Sequence, residues 1–285
     1  MSRLAPPPPS ALLPRRGRGL RDACFVVTLF VVGGSYVLLL AALLGADLRY
    51  VAPDDFHRIV QQPETQAAAR LTFLTSTVAA VIAVWVATPL AYLLSRFRFP
   101  GRVLVDLLVD IPLVLPPLVM GLSLLILFHV RIGEWQLEAW LQQTFGWRVT
   151  YEVPAIILAQ FTVICGLAVR TLRTTFDMLP VRTEQVARTL GCSRYQVFRY
   201  VVLPQAGRGL FTAFVVAWAR AVGEFGPILV FASATRFRTE VLSTSVFLEL
   251  NHGDLGAAVA TSLFLLAVAL LTLVALRLFG LGGRV

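Results

Sequence analysis

The chain contains no lysine: all 25 of its basic residues are arginine. That excludes chemistry resting on an ε-amino group, including Schiff bases and the phosphate-cradling loop that ends in Lys-Ser or Lys-Thr. Charge of either sign is scarce, at 14% of residues, against about 25% in an ordinary soluble domain. The three cysteines, Cys24, Cys165 and Cys192, show neither a CxxC pattern nor metal-ligand spacing, so neither a disulfide framework nor a zinc site is expected. Cys24 and Cys165 fall in apolar runs and read as packing residues. His57, His129 and His252 are too scattered for a metal site, and no His/Asp/Ser cluster converges as a membrane-embedded enzyme would need.

What is present is apolar. Of 285 residues, 57% are hydrophobic, and the mean hydropathy is +0.77. The net charge of +9 admits a nucleic-acid binder or a membrane protein with basic inner loops. A nucleic-acid binder gathers its charge on a water-soluble face, whereas these arginines sit between apolar stretches. A bilayer core asks for about 20 apolar residues in a helix. Six segments meet that length: 23–45, 71–95, 111–130, 153–170, 210–234 and 257–279. The first is too long for the apolar region of a cleaved leader and reads as a retained span. Residues 1–21, with prolines at 6–9 and Arg15, Arg16, Arg18 and Arg21, read as a disordered basic tail.

Arginine placement sets the orientation. With the N-terminus inside, seven arginines (Arg49, Arg58, Arg70, Arg131, Arg148, Arg236 and Arg238) lie on outer loops. All the others except Arg220 lie on the tail and inner loops. Both termini are then cytoplasmic.

The longest inner loop, 171–209, is patterned. From Pro180 it runs VRTEQVARTLGCSRYQVFRYVVLP to Pro204. Helix formers up to Leu190 are interrupted by Gly191, which supplies a bend. Ser193 and Gln196 form a capping-box pattern that opens a second helix. Val197, Phe198 and Val201 give that helix one apolar face, and Pro204 is expected to end it. Two such short helices are not stable alone in water, so this pair docks on the membrane domain or on a partner.

Two apolar runs carry breaks. Pro112, Pro116 and Pro117 interrupt the start of the third, and freed carbonyls are tolerated in lipid only where protein or a cavity re-satisfies them. In the fifth, Arg220 and Glu224 share a helix face, flanked by Gly223, Gly226 and Pro227. Two unpaired charges there would cost about 5–7 kcal/mol on insertion scales, so the two are expected to pair. Residues 223–227 are expected to break the helix. The pair reads either as a structural ion pair or as part of the path. Asp106 and Asp110 share a face near the inner end of the third span and read as structural.

Glu184-Gln185-Val186-Ala187, with Gly191 and then Leu203-Pro204, resembles the EAA loop of ABC importer permeases. Gln185 and Val186 stand where that motif has Glu and Ala. Pro89 to Arg96 followed by Phe99-Pro100-Gly101-Arg102, Asp110 to Gly121, and Ala219 to Gly226 resemble segments of the molybdate and sulfate permeases. Together the likeness spans roughly residues 70–280. It implies an all-α integral membrane protein of type I ABC importer permease architecture, with 22–285 as one permease domain. It implies that Glu184, Gln185, Val186, Ala187, Gly191, Leu203 and Pro204 form the ATPase-coupling element, with Glu184 supplying the acidic contact. Pro112, Pro116, Pro117, Gly121, Arg220, Gly223, Glu224 and Gly226 are the pore or gate candidates.

The implied partners are a cytoplasmic ATPase subunit that consumes the ATP, an external substrate-binding protein, and a second permease copy, identical rather than different. No cofactor is expected on this chain, and the membrane is a bacterial inner membrane. The implied cargo is a tetrahedral oxyanion, molybdate before sulfate, thiosulfate or tungstate. The competing reading, a secondary transporter or channel acting alone, lacks a visible internal repeat and leaves the patterned loop unexplained.

Overall fold

The computed structural model describes residues 18–50, 53–133 and 135–281. Most of the basic tail lies outside the described residues, but its last four residues are already helical. The chain divides into two units, 1–51 and 52–285. The first holds α1 (Arg18–Tyr50), whose stretch Ala23–Tyr50 is long and apolar enough to cross a membrane. Cys24 on it is exposed.

In the second unit, α2 (Pro53–Gln61) leads into α3 (Pro63–Arg96), then α4 (Arg102–Val114) and α5 (Pro117–His129). A two-residue hairpin, β1 (Arg131–Ile132) with β2 (Trp135–Gln136), pairs Arg131 with Gln136 and Ile132 with Trp135. Next come α6 (Leu137–Phe145) and α7 (Val153–Met178). Beyond them are α8 (Val181–Thr189), α9 (Arg194–Val197), a π-helical turn (Phe198–Val202), α10 (Leu203–Gln205) and α11 (Gly207–Val222). The chain closes with α12 (Gly226–Phe231), α13 (Leu242–His252) and α14 (Leu255–Leu281).

Among the described residues four helices are long and apolar enough to span: α1, α3, α7 and α14. Two further spans arise only as bent pairs, one over the expected third segment and one joining helices of the patterned loop to α11, where the expected fifth segment begins. The α4 and α5 axes turn by 115°, and those of Arg194–Gln205 and Gly207–Val222 by 69°, so six spans result if each pair counts as one. The interruption expected from the prolines of segment 111–130 is present, and the helix before it extends back to Arg102. Pro116 lacks the N–H that would continue α4, and the chain turns at Leu115 and Pro116 before α5 begins on Pro117. The fourth span runs on to Met178, so the inner loop starts eight residues later than expected.

The core is where α3, α7 and α11 meet. Ala79, Ala83, Ala87 and Ala91 recur every fourth residue on α3 and are all fully buried. Small side chains at that spacing let helix backbones approach closely, the usual substitute for hydrophobic drive in lipid. Ile164, Leu172 and Phe176 of α7 and Trp218 of α11 fill the remaining space, with the Trp218 indole N–H donating to Thr77 Oγ1 at 3.1 Å. A second cluster joins Leu124 and Phe128 of α5, Ile156 of α7, and Ile228 and Phe231 of α12.

Candidate functional site

The two broken spans meet at their breaks. Pro117 and Gly121 of α5 lie against Gly226 and Pro227 of α12. A methyl group added at Gly121 would come within 2.7 Å of Pro227 Cα, and one at Gly226 within 3.0 Å of Pro117 Cβ. Each glycine is the seat for the other segment's proline. Pro116 is exposed, Pro117 keeps an exposed side while its Cβ meets Gly226, and Pro112 sits half-buried inside α4.

The break expected at 223–227 falls at 223–225: α11 ends at Val222 and α12 starts at Gly226, with Pro227 in its first turn, where a missing N–H costs nothing. Two carbonyls at the break take side-chain donors from elsewhere, Ala221 O in addition to the Glu224 N–H. Ala221 O accepts from Gln160 Nε2 at 3.1 Å, and the same nitrogen lies 3.1 Å from Ser76 Oγ. Glu224 O accepts from Ser243 Oγ at 2.7 Å, and the Leu242 N–H donates to Thr72 Oγ1 at 2.9 Å. The N-terminus of α13 is thereby stitched to the break and to α3.

Sequence reading missed Gln160, Ser243 and Thr72. Gln160 did leave a signal, as a lone amide within an apolar run. Replacing it with leucine should remove about 1–2 kcal/mol of stability, read as earlier thermal loss of the monodisperse detergent-solubilised protein. Unchanged melting would mean the backbone donors at the break suffice.

Arg220 Nη1 lies 2.5 Å from Glu224 Oε2, so the expected pairing is present. The two ends differ in setting: the Glu224 side chain is 2% exposed and that of Arg220 41%. Gly223 has nothing within 4 Å of where a side chain would begin. The end of α11 therefore presents a guanidinium and open space.

Toward the start of α11 lies the patterned loop. Gly191 is the expected elbow, at φ +92°, a conformation other residues adopt only with strain. The capping box is present: Gln196 N–H donates to Ser193 Oγ, and Ser193 N–H to Gln196 Oε1 at 2.8 Å. Pro204 lies one residue before the helix end at Gln205, beyond which the axis turns by 69° into α11. The turn before it widens, Leu203 N–H reaching back to Phe198 O. This five-residue register absorbs the missing donor.

Gln185 and Val186 are exposed and Ala187 is half-buried; Leu203 is half-buried and Pro204 exposed. Glu184, expected to supply the acidic contact, is the buried residue of α8, and its carboxylate accepts from Arg96 Nε at 2.7 Å and from Tyr92 OH at 2.8 Å. Val186, Leu190 and Tyr195 are exposed apolar side chains of this segment, Leu190 at 80%. Arg182, Arg188, Arg194 and Arg199 in the same segment are exposed as well. The coupling and pore candidates do not converge: they lie near opposite ends of α11, about 20 Å apart at 1.5 Å per residue.

Asp106 and Asp110 are structural, as expected: they pair with Arg173 at 2.6 Å and Arg170 at 2.5 Å, holding α4 to α7. No cluster of metal-ligating side chains occurs among the described residues.

Residues 81–281 match the family model described as "Binding-protein-dependent transport system inner membrane component". The chain is 34% identical over 239 residues to the sulfate transport system permease protein CysT of Escherichia coli K12, covering 83% of this chain and 84% of the relative. It is 35% identical over 206 residues to the molybdenum transport system permease protein ModB of the same organism, covering 70% and 86%. The fold matches a bacterial alginate ABC transporter solved with its pentasaccharide-bound periplasmic protein, at TM-score 0.71, 18% identity and 90% and 93% coverage. It also matches the MetNI methionine transporter, at TM-score 0.52, 16% identity and 76% and 90% coverage. The chain therefore belongs to the inner-membrane permeases of binding-protein-dependent ABC importers, of type I fold, which are not enzymes themselves and leave ATP hydrolysis to a separate subunit.

Proposed function

We propose that this chain is one of two identical pore subunits of an importer for a tetrahedral oxyanion, sulfate or molybdate. The similarity to sulfate and molybdate permeases at 34% and 35% identity carries this reading. Those near-equal values remove the preference for molybdate drawn from the sequence. The exposed Arg220 fork beside open space supports an anionic cargo: a guanidinium at that depth is costly against lipid and favourable beside an oxyanion. Both termini and the exposed Val186, Leu190 and Tyr195 face the cytoplasm, where these side chains seat the ATPase subunit. An external binding protein delivers the anion, and ATP acts only in the partner.

Proteoliposomes holding this chain, its ATPase and its binding protein, tested for ATP-dependent uptake of labelled sulfate and molybdate, decide the matter. Uptake of either anion is expected, and the Gly191→Pro variant should lose it by more than tenfold. Proline fixes φ near −65° and cannot adopt the elbow at +92°. Uptake that persists without ATP or the ATPase would overturn the importer reading. Uptake of neither anion by an intact, ATP-hydrolysing complex would overturn the oxyanion.

A further inference from the structure

The buried side chain of the nine-residue helix α8 is a charge. Glu184 reaches Tyr92 and Arg96, one turn apart at the end of α3, with both of its oxygens held. Arg96 is spent elsewhere as well. Its Nη2 donates to Leu179 O at the end of α7 at 2.9 Å, and its Nη1 to Ser95 Oγ at 3.3 Å. Ser95 Oγ donates to Asp177 Oδ1 at 2.5 Å, and Asp177 lies 3.9 Å from Arg173 Nε. Arg173 Nη1 donates to Asp106 Oδ1 on α4 at 2.6 Å. Hydrogen bonds and ion pairs, the loosest of them Asp177–Arg173 at 3.9 Å, thus link α8 to α3, α7 and α4. The Tyr92 ring backs them, packing on Phe176 of α7 at 5.6 Å and on Phe198 of the π turn at 4.8 Å.

These links do little for stability. The outer pairs are partly exposed, where an ion pair contributes little, and a buried pair gains little over apolar packing. What the chain fixes is geometry. Helix α4 has no buried side chain of its own. It is held to α7 by Asp106–Arg173, by Asp110–Arg170, and by the close approach of Gly166 to Val109 O. It runs directly into the elbow at Leu115 and Pro116, and so into the α5–α12 contact.

We propose that the chain Glu184–Arg96–Ser95–Asp177–Arg173–Asp106 is a strut that makes α8 and α4 move as one body. Arg96 and Glu184 are then positioning residues for transport rather than ATPase contacts. Displacement of α8 by a partner is delivered to the elbow at the breaks, while a loose α8 would move without them. This rests on the reading that α8 and its neighbours seat the ATPase.

The test uses the full reconstituted transporter and measures uptake of labelled sulfate and molybdate per ATP hydrolysed, beside co-purification of the ATPase. Arg96→Gln and Glu184→Gln should each keep the ATPase bound and hydrolysing, yet lower uptake per ATP about tenfold, within the usual span of coupling strengths. The double variant should be no worse than either single one, since both cut the same link. Asp106→Asn, at the far end, should lower the ratio in the same direction.

An unchanged ratio in both glutamine variants, with only thermal stability reduced, would overturn the strut. So would losses that multiply in the double variant. If Arg96→Gln does not yield folded protein, Ser95→Ala cuts the next link with little disturbance, and an unchanged ratio there overturns the proposal equally. The docking reading fails separately: Val186→Asp should release the ATPase, and retention of the ATPase would sink that reading whatever the ratio does.

Discussion

Gly121→Ala should destabilise the chain by about 1–3 kcal/mol, the range for overpacking a filled interior, and Gly121→Leu should prevent recovery of folded protein. The new methyl carbon would stand 2.7 Å from Pro227 Cα and 3.0 Å from Pro227 O. These are backbone atoms in the first turn of α12, and no side-chain rotation relieves them. Gly226→Ala meets Pro117 Cβ at 3.0 Å and Leu118 N at 3.1 Å, so a smaller loss of the same sign is expected. Gly223 is the control. It lies within four residues of Gly226, at φ −86°, with nothing within 4 Å. Alanine there should change stability by no more than about 0.5 kcal/mol. Thermal loss of the monodisperse detergent-solubilised chain reads all three. A Gly121→Ala variant as stable as wild type would mean that α5 and α12 do not seat on each other.

Features that depend on chemistry local in sequence were legible from the sequence. Gly191 with Ser193 and Gln196 specified an elbow and a capped helix, because a positive φ and a reciprocal cap need particular residues at a fixed spacing. Gly223 through Pro227 announced a break for similar reasons. The short helices α2, α6 and α13 escaped notice, since they lie in the segments between the apolar runs and lack the long apolar run by which spans are found. Pro204 marked the end of that helix to within one residue, whereas the π turn before it leaves no mark in the composition. The inward aim of Glu184 was invisible for a different reason: its partners, Tyr92 and Arg96, lie some ninety residues away. Pairing at that distance is set by packing, which no local pattern encodes. The candidate site thus divides. Its backbone breaks could be read in advance; the side chains that cap those breaks could not.

Arg220 and Glu224 offer the other large effect. Arg220→Ala should destabilise the chain by about 1–3 kcal/mol, the usual result of leaving one buried acceptor without its partner. Glu224 is 2% exposed and depends on Arg220 Nη1 at 2.5 Å. The single variant therefore confounds two roles, because a chain that misfolds does not transport. The double variant Arg220→Met/Glu224→Leu separates them. Both charges leave together, no carboxylate is stranded, and the apolar replacements suit the surrounding helix, so stability should return to within about 1–2 kcal/mol of wild type. If the pair only holds the break together, uptake of labelled sulfate or molybdate returns with stability. If the exposed guanidinium borders the path, the double variant folds, binds its ATPase and hydrolyses ATP, yet uptake stays at least tenfold down. The asymmetry of the pair argues for the second outcome. A purely structural ion pair gains by burying both ends, whereas here the arginine keeps 41% of its side chain exposed beside open space at Gly223.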